Sequence, residues 1–445
     1  MIVMKFGGTS LANAGRINNV YEIVKTRLHK KPIVVVSAVS GVTDLLINTA
    51  KEATKGINPN EKTEEIINIH KEIIKSLNLN EEFLMEDFIR LYDTLNGVYL
   101  LKELSPRSID LISSFGEIFS SKIVAEYFNS KDIQSKQYSG WDAGIVTNDD
   151  FTNSEILEET YEKIKSNLNH FNNLPIVTGF IAKNKDGEIT TLGRGGSDYT
   201  AAIIGAALGA DEIEIWTDVD GIKTADPRIV ENAKQWNKVT FNEASEMAYF
   251  GAKVLHPKTI KPAVNKNIPV RVLNTYNINN PGTLIIKEDN DECVFRTISV
   301  KNNIIVIRLC SAEMLLAYGF LARVFEIFNK YKISIDLIST SEVTVSMTLD
   351  NLGNGQKELE QAIRELEKIG KVELLKDMSI ICIVGKNIKE NSKILGRIFN
   401  VCKTKDVNVE MISQGASPLS ISFVVKQEDS DKIIKELHKE LFEDE

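Results

Sequence analysis

The 445-residue chain has few cysteines and no long apolar run. Its four cysteines, Cys293, Cys310, Cys382 and Cys402, show neither C-x-x-C pairing nor zinc-finger spacing. This pattern excludes a disulfide-stapled secreted fold and favours free thiols in a reducing cytoplasm. Apolar runs such as Ile33 to Val36 fall far short of the ~18 residues of a membrane span. No membrane partner is therefore predicted.

An excess of positive charge is also missing. The net charge is −9 and the isoelectric point is about 5.4, so we expect no broad cationic surface for nucleic acid. The chain opens on an apolar strand instead of a basic segment with an apolar stretch and a cleavage site. A cytoplasmic location is predicted. A hydrophobic content of 43% in a chain of this length suits two or three packed domains.

The two usual glycine signatures of nucleotide binding, G-x-x-x-x-G-K-[ST] and a strand-linked G-x-G-x-x-G, are absent. Instead, the apolar run Ile2 to Phe6, which carries Lys5, leads directly into Gly7 and Gly8. Residues without Cβ let backbone N–H groups approach a phosphate, and the Lys5 ammonium adds positive charge. We interpret this turn as a phosphate-binding loop, with an ordinary strand-to-helix turn as the alternative.

A second glycine cluster surrounds Arg194 and precedes an alanine-rich helix that runs to Leu208. The alternative interpretation of this cluster is structural, since Ser197 or Asp198 would be a good N-cap for the helix. Three glycines around an arginine exceed what a cap requires. They direct backbone donors, a helix N-terminus and a guanidinium toward one anion. The cluster therefore predicts a second anion contact.

Continuous β-branched strands such as Ile33 to Val36 predict a parallel sheet covered by helices, with ligands at its strand ends. The loop from Ser37 to Asp44 lies at one such end. The region from about 52 to 135 is predicted to be mostly helical, with a helix that begins near Ser113 and carries Glu117 in its first turn. The polar loop from Thr217 to Arg228 is either a solvated turn or a nucleotide contact.

The C-terminal region repeats itself at an offset of 74 residues. The matching positions are Leu321, Arg323, Phe325, Ile335, Asp336, Ile338 and Ser339 with Leu395, Arg397, Phe399, Val409, Glu410, Ile412 and Ser413. Each copy is predicted to be strand, helix, strand, strand, helix, and Thr297 to Val300 is the nearest candidate for the missing edge strand of the second copy. We expect two interlocked β-α-β-β-α-β modules, at 297–376 and 377–445, after a catalytic domain at 1–290.

The predicted anion contacts come without an obvious general base, since only His256 lies near a candidate motif. A base is unnecessary if the nucleophile is a carboxylate, because a group with a pKa near ~4 is already ionised at neutral pH. Positioning and charge neutralisation would then carry a phosphoryl transfer.

Three motifs, Lys5 to Ser10, Gly193 to Asp198 and Phe250 to Pro257, together with the paired C-terminal modules, resemble the monofunctional aspartokinases of the lysine-sensitive type. The resemblance implies an α/β amino-acid-kinase fold, an open and mainly parallel sheet between helices, followed by two ferredoxin-like ACT modules. It implies ATP-dependent phosphorylation of the β-carboxylate of L-aspartate.

The resemblance also implies roles for individual residues. Lys5, Gly8 and Asp198 would be catalytic. Glu117 would lie near the substrate ammonium group and Arg194 on its α-carboxylate, assisted by Thr43 and Ser197. The implied nucleotide contacts are Lys5, Gly7, Gly8, Ser10, Thr217, Asp218, Lys223, Arg228 and Lys253. Mg2+ would be held mainly by phosphate oxygens and water, with no protein metal site.

For regulation, the resemblance implies that L-lysine is an allosteric inhibitor bound in the first ACT module. Asp336 and Glu342 would take its amino groups, and backbone donors at Phe320 and Leu321 its carboxylate. The implied effector residues are Met314, Phe320, Leu321, Ile335, Asp336, Ser341, Glu342 and Val343. From the residues alone, Asp336 is instead a strand-end acid on a solvated face. We expect a homodimer or a dimer of dimers.

Two other functions stay open at the level of sequence. One is another carboxylate or carbamate kinase of the same fold. The other is an amino-acid sensor whose kinase domain is inactive, although retention of Lys5, Arg194 and Asp198 argues against it. The sequence also leaves open whether threonine acts together with lysine.

Overall fold

The computed structural model describes residues 1–249, 257–289, 294–315, 318–351, 355–386, 388, 392–415 and 417–443. The chain forms two compact units. The first comprises Met1–Ile222, Trp236–Phe241 and Val254–Asp289, and the second comprises Lys223–Gln235, Asn242–Lys253 and Asn290–Glu445. Within the described ranges, no helix has the length and apolar character needed to cross a membrane.

The chain up to residue 289 supplies eleven described strands and ten described helices. The strands are β1 (Ile2–Phe6), β2 (Pro32–Val36), β3 (Ser135–Tyr138), β4 (Val146–Thr147), β5 (Leu174–Thr178), β6 (Ile181–Asn184), β7 (Ile189–Thr191), β8 (Glu212–Thr217), β9 (Lys238–Thr240), β10 (Val270–Asn274) and β11 (Thr283–Ile286). The helices are α1 (Ala14–Arg27), α2 (Val42–Thr54), α3 (Asn60–Ser76), α4 (Met85–Leu101), α5 (Pro106–Ser130), α6 (Gly140–Ala143), α7 (Glu159–Leu168), α8 (Gly196–Leu208), α9 (Phe241–Tyr249) and α10 (Pro257–Lys266).

The main sheet of the first unit has the strand order β3-β5-β2-β1-β8-β10-β11-β9. Its neighbours are parallel except for the antiparallel pair β10–β11. All five residues of β2 are buried, as a continuous apolar strand requires when helices cover both faces of the sheet. Strands β4, β6 and β7 form a separate small sheet. The predicted mainly parallel sheet is confirmed.

Helix α5 begins earlier than predicted. Ser105 accepts a hydrogen bond from the N–H of Ser108 at 3.1 Å, and Pro106 occupies the first helical turn, where its missing N–H costs nothing. The prediction of a helix starting near Ser113 is therefore wrong. Glu117 lies near the middle of this long helix, about three turns after Pro106. At that distance its charge no longer interacts favourably with the helix dipole at the N-terminus.

The second unit contains ten further elements. They are β12 (Phe295–Cys310), α11 (Phe320–Lys330), β13 (Ile338–Thr340), β14 (Thr344–Asp350), α12 (Gln356–Leu366), β15 (Lys371–Gly385), α13 (Ser392–Thr404), β16 (Met411–Gln414), β17 (Ser420–Lys426) and α14 (Gln427–Phe442). The strands form one antiparallel sheet with the order β13-β14-β12-β15-β17-β16. The predicted pair of ferredoxin-like modules is confirmed.

The two long strands β12 and β15 interlock the modules. The segment Thr297 to Lys301 lies beside Ile380 to Val384 of β15, which pairs with β17 on its other side. The later part of β12, from Ile304 to Cys310, lies between β14 and the first half of β15 and pairs with both. Each module has its own apolar core, one around Ile307 and Phe328 and one around Phe423.

The second unit also includes Lys223–Gln235, a segment far from the modules in sequence. Ala225 and Val230 join the core of the second module, and the Thr224 hydroxyl is 2.8 Å from Nε2 of the buried His438 on α14. The compact units therefore interleave along the chain. The domain boundaries drawn from the sequence, at 290 and 376, stay predictions.

Candidate active site

A cavity of about 560 Å³ lies in the first unit, where β1 and β2 end. This is the edge of a parallel sheet at which ligands bind in open α/β folds. The cavity brings together seven of the residues singled out in the sequence: Lys5, Gly8, Thr43, Glu117, Arg194, Ser197 and Asp198. Across the described part of the chain, no group of three or more His, Cys, Asp or Glu residues is arranged to hold a metal ion.

Lys5 and Asp198 form an ion pair at the cavity wall. Lys5 Nζ lies 2.7 Å from Asp198 Oδ1, and the two side chains are only 12% and 14% exposed. Lys5 comes from β1 and Asp198 from the first turn of α8, so the pair joins the two glycine-rich motifs. The carboxylate holds the Lys5 ammonium in one position while leaving it at the cavity surface.

Gly8 allows the loops after β1 and β2 to approach each other closely. Its carbonyl accepts a hydrogen bond from the N–H of Ser40 at 3.2 Å. A Cβ on Gly8 would lie 2.8 Å from the carbonyl oxygen of Ala38, a distance that real Cβ atoms do not tolerate. Any larger residue at this position would therefore push the two loops apart and displace the backbone N–H groups of the turn.

Glu117 extends from the middle of α5 into the cavity and is only 3% exposed. Its Oε1 accepts a hydrogen bond from the N–H of Ala38 at 3.2 Å, whereas its buried Oε2 has no partner in the described chain. Burial raises the pKa of Glu117 to about 8, against the smaller lowering effect of the Ala38 N–H. An ammonium group at Oε2 would offset the cost of burial and favour the ionised carboxylate.

Asp110 is a second buried acid on the cavity wall, and the sequence analysis missed it. It accepts hydrogen bonds from the N–H of Thr152 at 2.9 Å, and from the N–H and the hydroxyl of Thr191 at 3.0 and 2.7 Å. Burial raises the pKa of Asp110, and these donors oppose the rise. Asp110, Ser113 and Glu117 have the i, i+3, i+7 spacing of one helical face, and that spacing was the available signal.

The second glycine cluster shapes the opposite wall of the cavity. Gly195 adopts φ 71° and is the N-cap of α8, with no side-chain cap. The alternative interpretation, in which Ser197 or Asp198 caps the helix, is therefore not supported. A glycine in the left-handed region leaves both side chains free to face the cavity. Gly193 also has φ 71°, and a Cβ there would meet Asn153 at 2.5 Å.

Several predicted nucleotide contacts lie in the first unit but outside the cavity lining. The N–H of Gly7 donates to the carbonyl of Trp216 at 3.3 Å and so joins the end of β1 to β8. The Ser10 hydroxyl lies 2.7 Å from that of Thr275. Thr217 and Asp218 follow at the end of β8, where the Thr217 hydroxyl donates to the Asp218 carboxylate at 3.2 Å.

The remaining predicted nucleotide contacts lie elsewhere. Lys223 and Arg228 belong to the second unit, and Arg228 there forms an ion pair with Asp226 at 2.6 Å while staying 87% exposed. Lys253 lies outside the described residues, as does most of the motif from Phe250 to Pro257. Of the predicted nucleotide contacts in the first unit, Lys5 and Gly8 line the cavity.

The predicted effector residues lie in the first module. Two of them, the acids Asp336 and Glu342, are far apart along the β13–β14 hairpin. Asp336 precedes β13, and Glu342 lies in the turn between β13 and β14. At ~3.3 Å per residue, the six steps between them span roughly 20 Å, far more than an extended lysine molecule. The assignment of both acids to the effector site stays a prediction from the sequence.

The other predicted effector residues lie in the same module. Met314 ends a short helix, and Phe320 and Leu321 begin α11 after Gly319 at φ 79°. The Ser341 hydroxyl accepts a hydrogen bond from the N–H of Thr344. Ile335 is half-buried, and Val343 is exposed. The helix start therefore offers backbone donors, as predicted, whereas their use by an effector stays a prediction.

Comparisons with known proteins agree with this architecture. The model of the amino acid kinase family matches residues 1–274, and an ACT domain model matches residues 381–441. The chloroplastic aspartokinase 1 of Arabidopsis thaliana is 43% identical over 456 residues, which cover 99% of this chain and 80% of that relative.

Solved structures of aspartokinase III from Escherichia coli are similar over the whole chain. The complex with aspartate and ADP, in its R-state, has a TM-score of 0.85 and 36% identity, and the match covers 100% of both chains. The complex with lysine and aspartate, in its T-state, has a TM-score of 0.84 and 35% identity over the same coverage. With an amino acid kinase fold, ACT modules and this identity along its length, the chain belongs to the aspartokinase family.

Proposed function

We propose that this chain transfers the γ-phosphoryl group of ATP to the β-carboxylate of L-aspartate, the first step of lysine, threonine and methionine biosynthesis. One observation carries the proposal. A single cavity holds a fixed ammonium at Lys5, a guanidinium at Arg194, and a buried carboxylate at Glu117 whose Oε2 has no partner in the described chain. These charges complement the carboxylates and the ammonium group of an amino acid with an acidic side chain.

L-aspartate would bind with its ammonium group at Glu117 Oε2. Arg194 would take the α-carboxylate, since a guanidinium can donate two parallel hydrogen bonds to it. The hydroxyls of Thr43 and Ser197, both at the cavity wall, would complete the contacts. With both groups on Cα held, the β-carboxylate is left to face Lys5.

In the reaction, a β-carboxylate oxygen attacks the γ-phosphorus, and the bond from that phosphorus to the β–γ bridging oxygen breaks. ADP leaves and 4-phospho-L-aspartate forms, with no proton to remove, because the attacking carboxylate is already ionised. Lys5 neutralises charge on the transferring phosphoryl group, and backbone N–H groups at Gly7 and Gly8 assist it. Asp198 keeps the Lys5 ammonium in place.

We propose ATP contacts in the first unit at Lys5, Gly7, Gly8, Ser10, Thr217 and Asp218. Contacts at Lys223, Arg228 and Lys253 stay predictions from the sequence. Mg2+ would arrive with the nucleotide and be held mainly by phosphate oxygens and water, as this ion usually is. A cytoplasmic or similarly reducing compartment suits the free thiols of Cys382 and Cys402, both buried.

We further propose feedback inhibition by L-lysine in a homodimer, or a dimer of dimers. Large apolar side chains are exposed in the first module at Leu315, Tyr318, Leu321, Phe325, Ile338 and Val343. Covering them with a second copy would remove apolar surface from water. Since Asp336 and Glu342 are at opposite ends of one hairpin, the ligand would join Asp336 of one chain to Glu342 of the partner subunit.

One experiment tests the catalytic proposal. The purified chain is incubated with ATP, Mg2+ and hydroxylamine, which traps an acyl phosphate as a hydroxamate. We expect hydroxamate with L-aspartate and none with L-glutamate or carbamate. Trapped product with another acceptor alone would favour a different carboxylate or carbamate kinase. No product with any acceptor, from a folded chain that binds L-lysine, would favour an amino-acid sensor.

A further inference from the structure

Lys301 lies where β12 passes from one ACT module to the other. Lys301 is the partner of Ile380 in β15, but the next paired residue, Ile304, is the partner of Met378. This register shift is a β-bulge, and Asn303 inside it has φ 60°. The bulge turns the Lys301 side chain out of the regular strand pattern and toward the first module.

There the Lys301 ammonium joins two carboxylates. Its Nζ lies 2.7 Å from Asp336 Oδ2 and 2.9 Å from Asp350 Oδ1. The Asp336 side chain is 9% exposed and that of Lys301 is 22% exposed, so this ion pair is largely shielded from water. Burial lowers the pKa of Lys301, but the hydrogen bonds to both carboxylates outweigh it and the net change is a rise. Asp336 is thus neither a solvated strand-end acid nor free of a cation.

The bulge that carries Lys301 is also fastened to the second module. The Ser379 hydroxyl donates to the Asn302 side chain at 2.6 Å, and the N–H of Asn303 donates to the Gln427 side chain at 2.8 Å. The Lys301 ammonium therefore links Asp336, the predicted effector acid of the first module, to the bulge, which is hydrogen-bonded to the second module.

We propose that Lys301 is an internal competitor for Asp336 and sets the affinity of the effector site for an ammonium-bearing ligand. This inference rests on the proposed lysine regulation. Two ammonium groups at one shielded carboxylate repel each other, so a ligand ammonium must displace that of Lys301 or bind against its charge. Binding at Asp336 then weakens one of the ties between the bulge and the first module.

Arg308 provides a matched control, on the part of β12 that pairs with β14. Arg308, also on β12, lies 3.4 Å from Glu410, the repeat counterpart of Asp336, and 2.9 Å from Glu373. Arg308→Met removes a cation of similar size and exposure from the same strand. It leaves Asp336 untouched, so it should alter folding stability about as much as Lys301→Met without changing effector affinity.

The test is a calorimetric titration of L-lysine into the full-length chain and its variants. Lys301→Met should bind L-lysine roughly 3- to 10-fold more tightly than the parent, as expected on losing one competing and partly buried ion pair. Lys301→Arg, which keeps the charge, should stay within about 2-fold of the parent, as should Arg308→Met.

The outcomes separate this inference from the function on which it rests. No binding of L-lysine by the parent would refute the proposed effector site itself. Binding by the parent with unchanged or weaker binding by Lys301→Met would refute competition by Lys301 alone. Should Lys301→Met not fold, Lys301→Gln keeps a hydrogen-bond donor at Asp336, lacks the charge, and carries the same expectation.

Discussion

The two functional regions both contain a shielded carboxylate, but they satisfy it in opposite ways. Glu117, in the cavity of the first unit, has one backbone donor and one oxygen without a partner in the described chain. Asp336, in the first ACT module, already holds the ammonium of Lys301. The cavity therefore has a place for a ligand cation, whereas the proposed effector region would have to exchange one cation for another.

This difference has an energetic meaning. A buried carboxylate without a counter-charge is costly, and the raised pKa of Glu117, about 8, keeps it mostly protonated at neutral pH. A substrate ammonium stabilises the ionised form, and the release of the Glu117 proton offsets part of that interaction at neutral pH. A cation that binds at Asp336 would instead replace an existing ion pair, with no proton to release.

The largest expected effect is at Lys5, the fixed cation of the cavity. Lys5→Ala should lower kcat by roughly 10²- to 10³-fold, since one charge on a developing phosphoryl anion is typically worth ~3 to 4 kcal/mol. Steady-state kinetics measures this, with Lys163→Ala as a surface control, because Lys163 is exposed and pairs with Glu159 four residues away. Near-parental turnover in Lys5→Ala would remove Lys5 from the mechanism.

Glu117→Gln should have the next largest effect. The amide cannot form an ion pair with the substrate ammonium, so KM for L-aspartate should rise about 10- to 100-fold while KM for ATP changes little. The folding stability of the parent should decrease as the pH rises from ~4.5 to ~8, because folded Glu117 holds a proton in this range and unfolded glutamate does not. Glu117→Gln should not show this decrease. Equal changes in both KM values would contradict a contact with the ammonium group.

Arg194→Lys should raise KM for L-aspartate by about 10-fold, because an ammonium cannot reproduce the two parallel hydrogen bonds of a guanidinium. This substitution retains the charge, so it tests geometry within the cavity. Measuring KM for both substrates decides the assignment. An effect confined to ATP would place Arg194 on the nucleotide instead.

The smallest expected effect is at Glu342 in the effector region. Its exposed side chain lies in the turn after β13, and exposed ion pairs are worth ~0.2 to 1 kcal/mol. Glu342→Ala should raise the L-lysine concentration for half-inhibition by up to about 5-fold and leave uninhibited turnover unchanged. Inhibition curves measure both quantities. A fully unchanged curve would exclude Glu342 from the effector site.

The sequence predicted best what depends on short motifs. Lys5, Gly8 and Arg194 are each identified by glycines within a few residues, and all three line the cavity. Asp110 escaped notice because its alignment with Glu117 becomes visible only once the helix is known to start at Pro106. Motif reasoning succeeds where neighbours in sequence form the site.

The effector region was harder to predict because its geometry depends on pairing between distant residues. Lys301 meets Asp336 across 35 positions, through a bulge whose existence is set by the pairing of β12 with β15. No local pattern in the sequence encodes this contact.

One measurement tests the contrast between the two carboxylates directly. L-aspartate and L-lysine are titrated separately into the same chain at pH 7, by calorimetry in buffers with different heats of ionisation, which reports the protons exchanged on binding. We expect release of close to one proton per bound L-aspartate, from Glu117, because its pKa of about 8 keeps it protonated before a cation arrives. We expect almost none for L-lysine, because one ammonium replaces another at Asp336. Equal proton release for both ligands, or none for L-aspartate, would contradict the account.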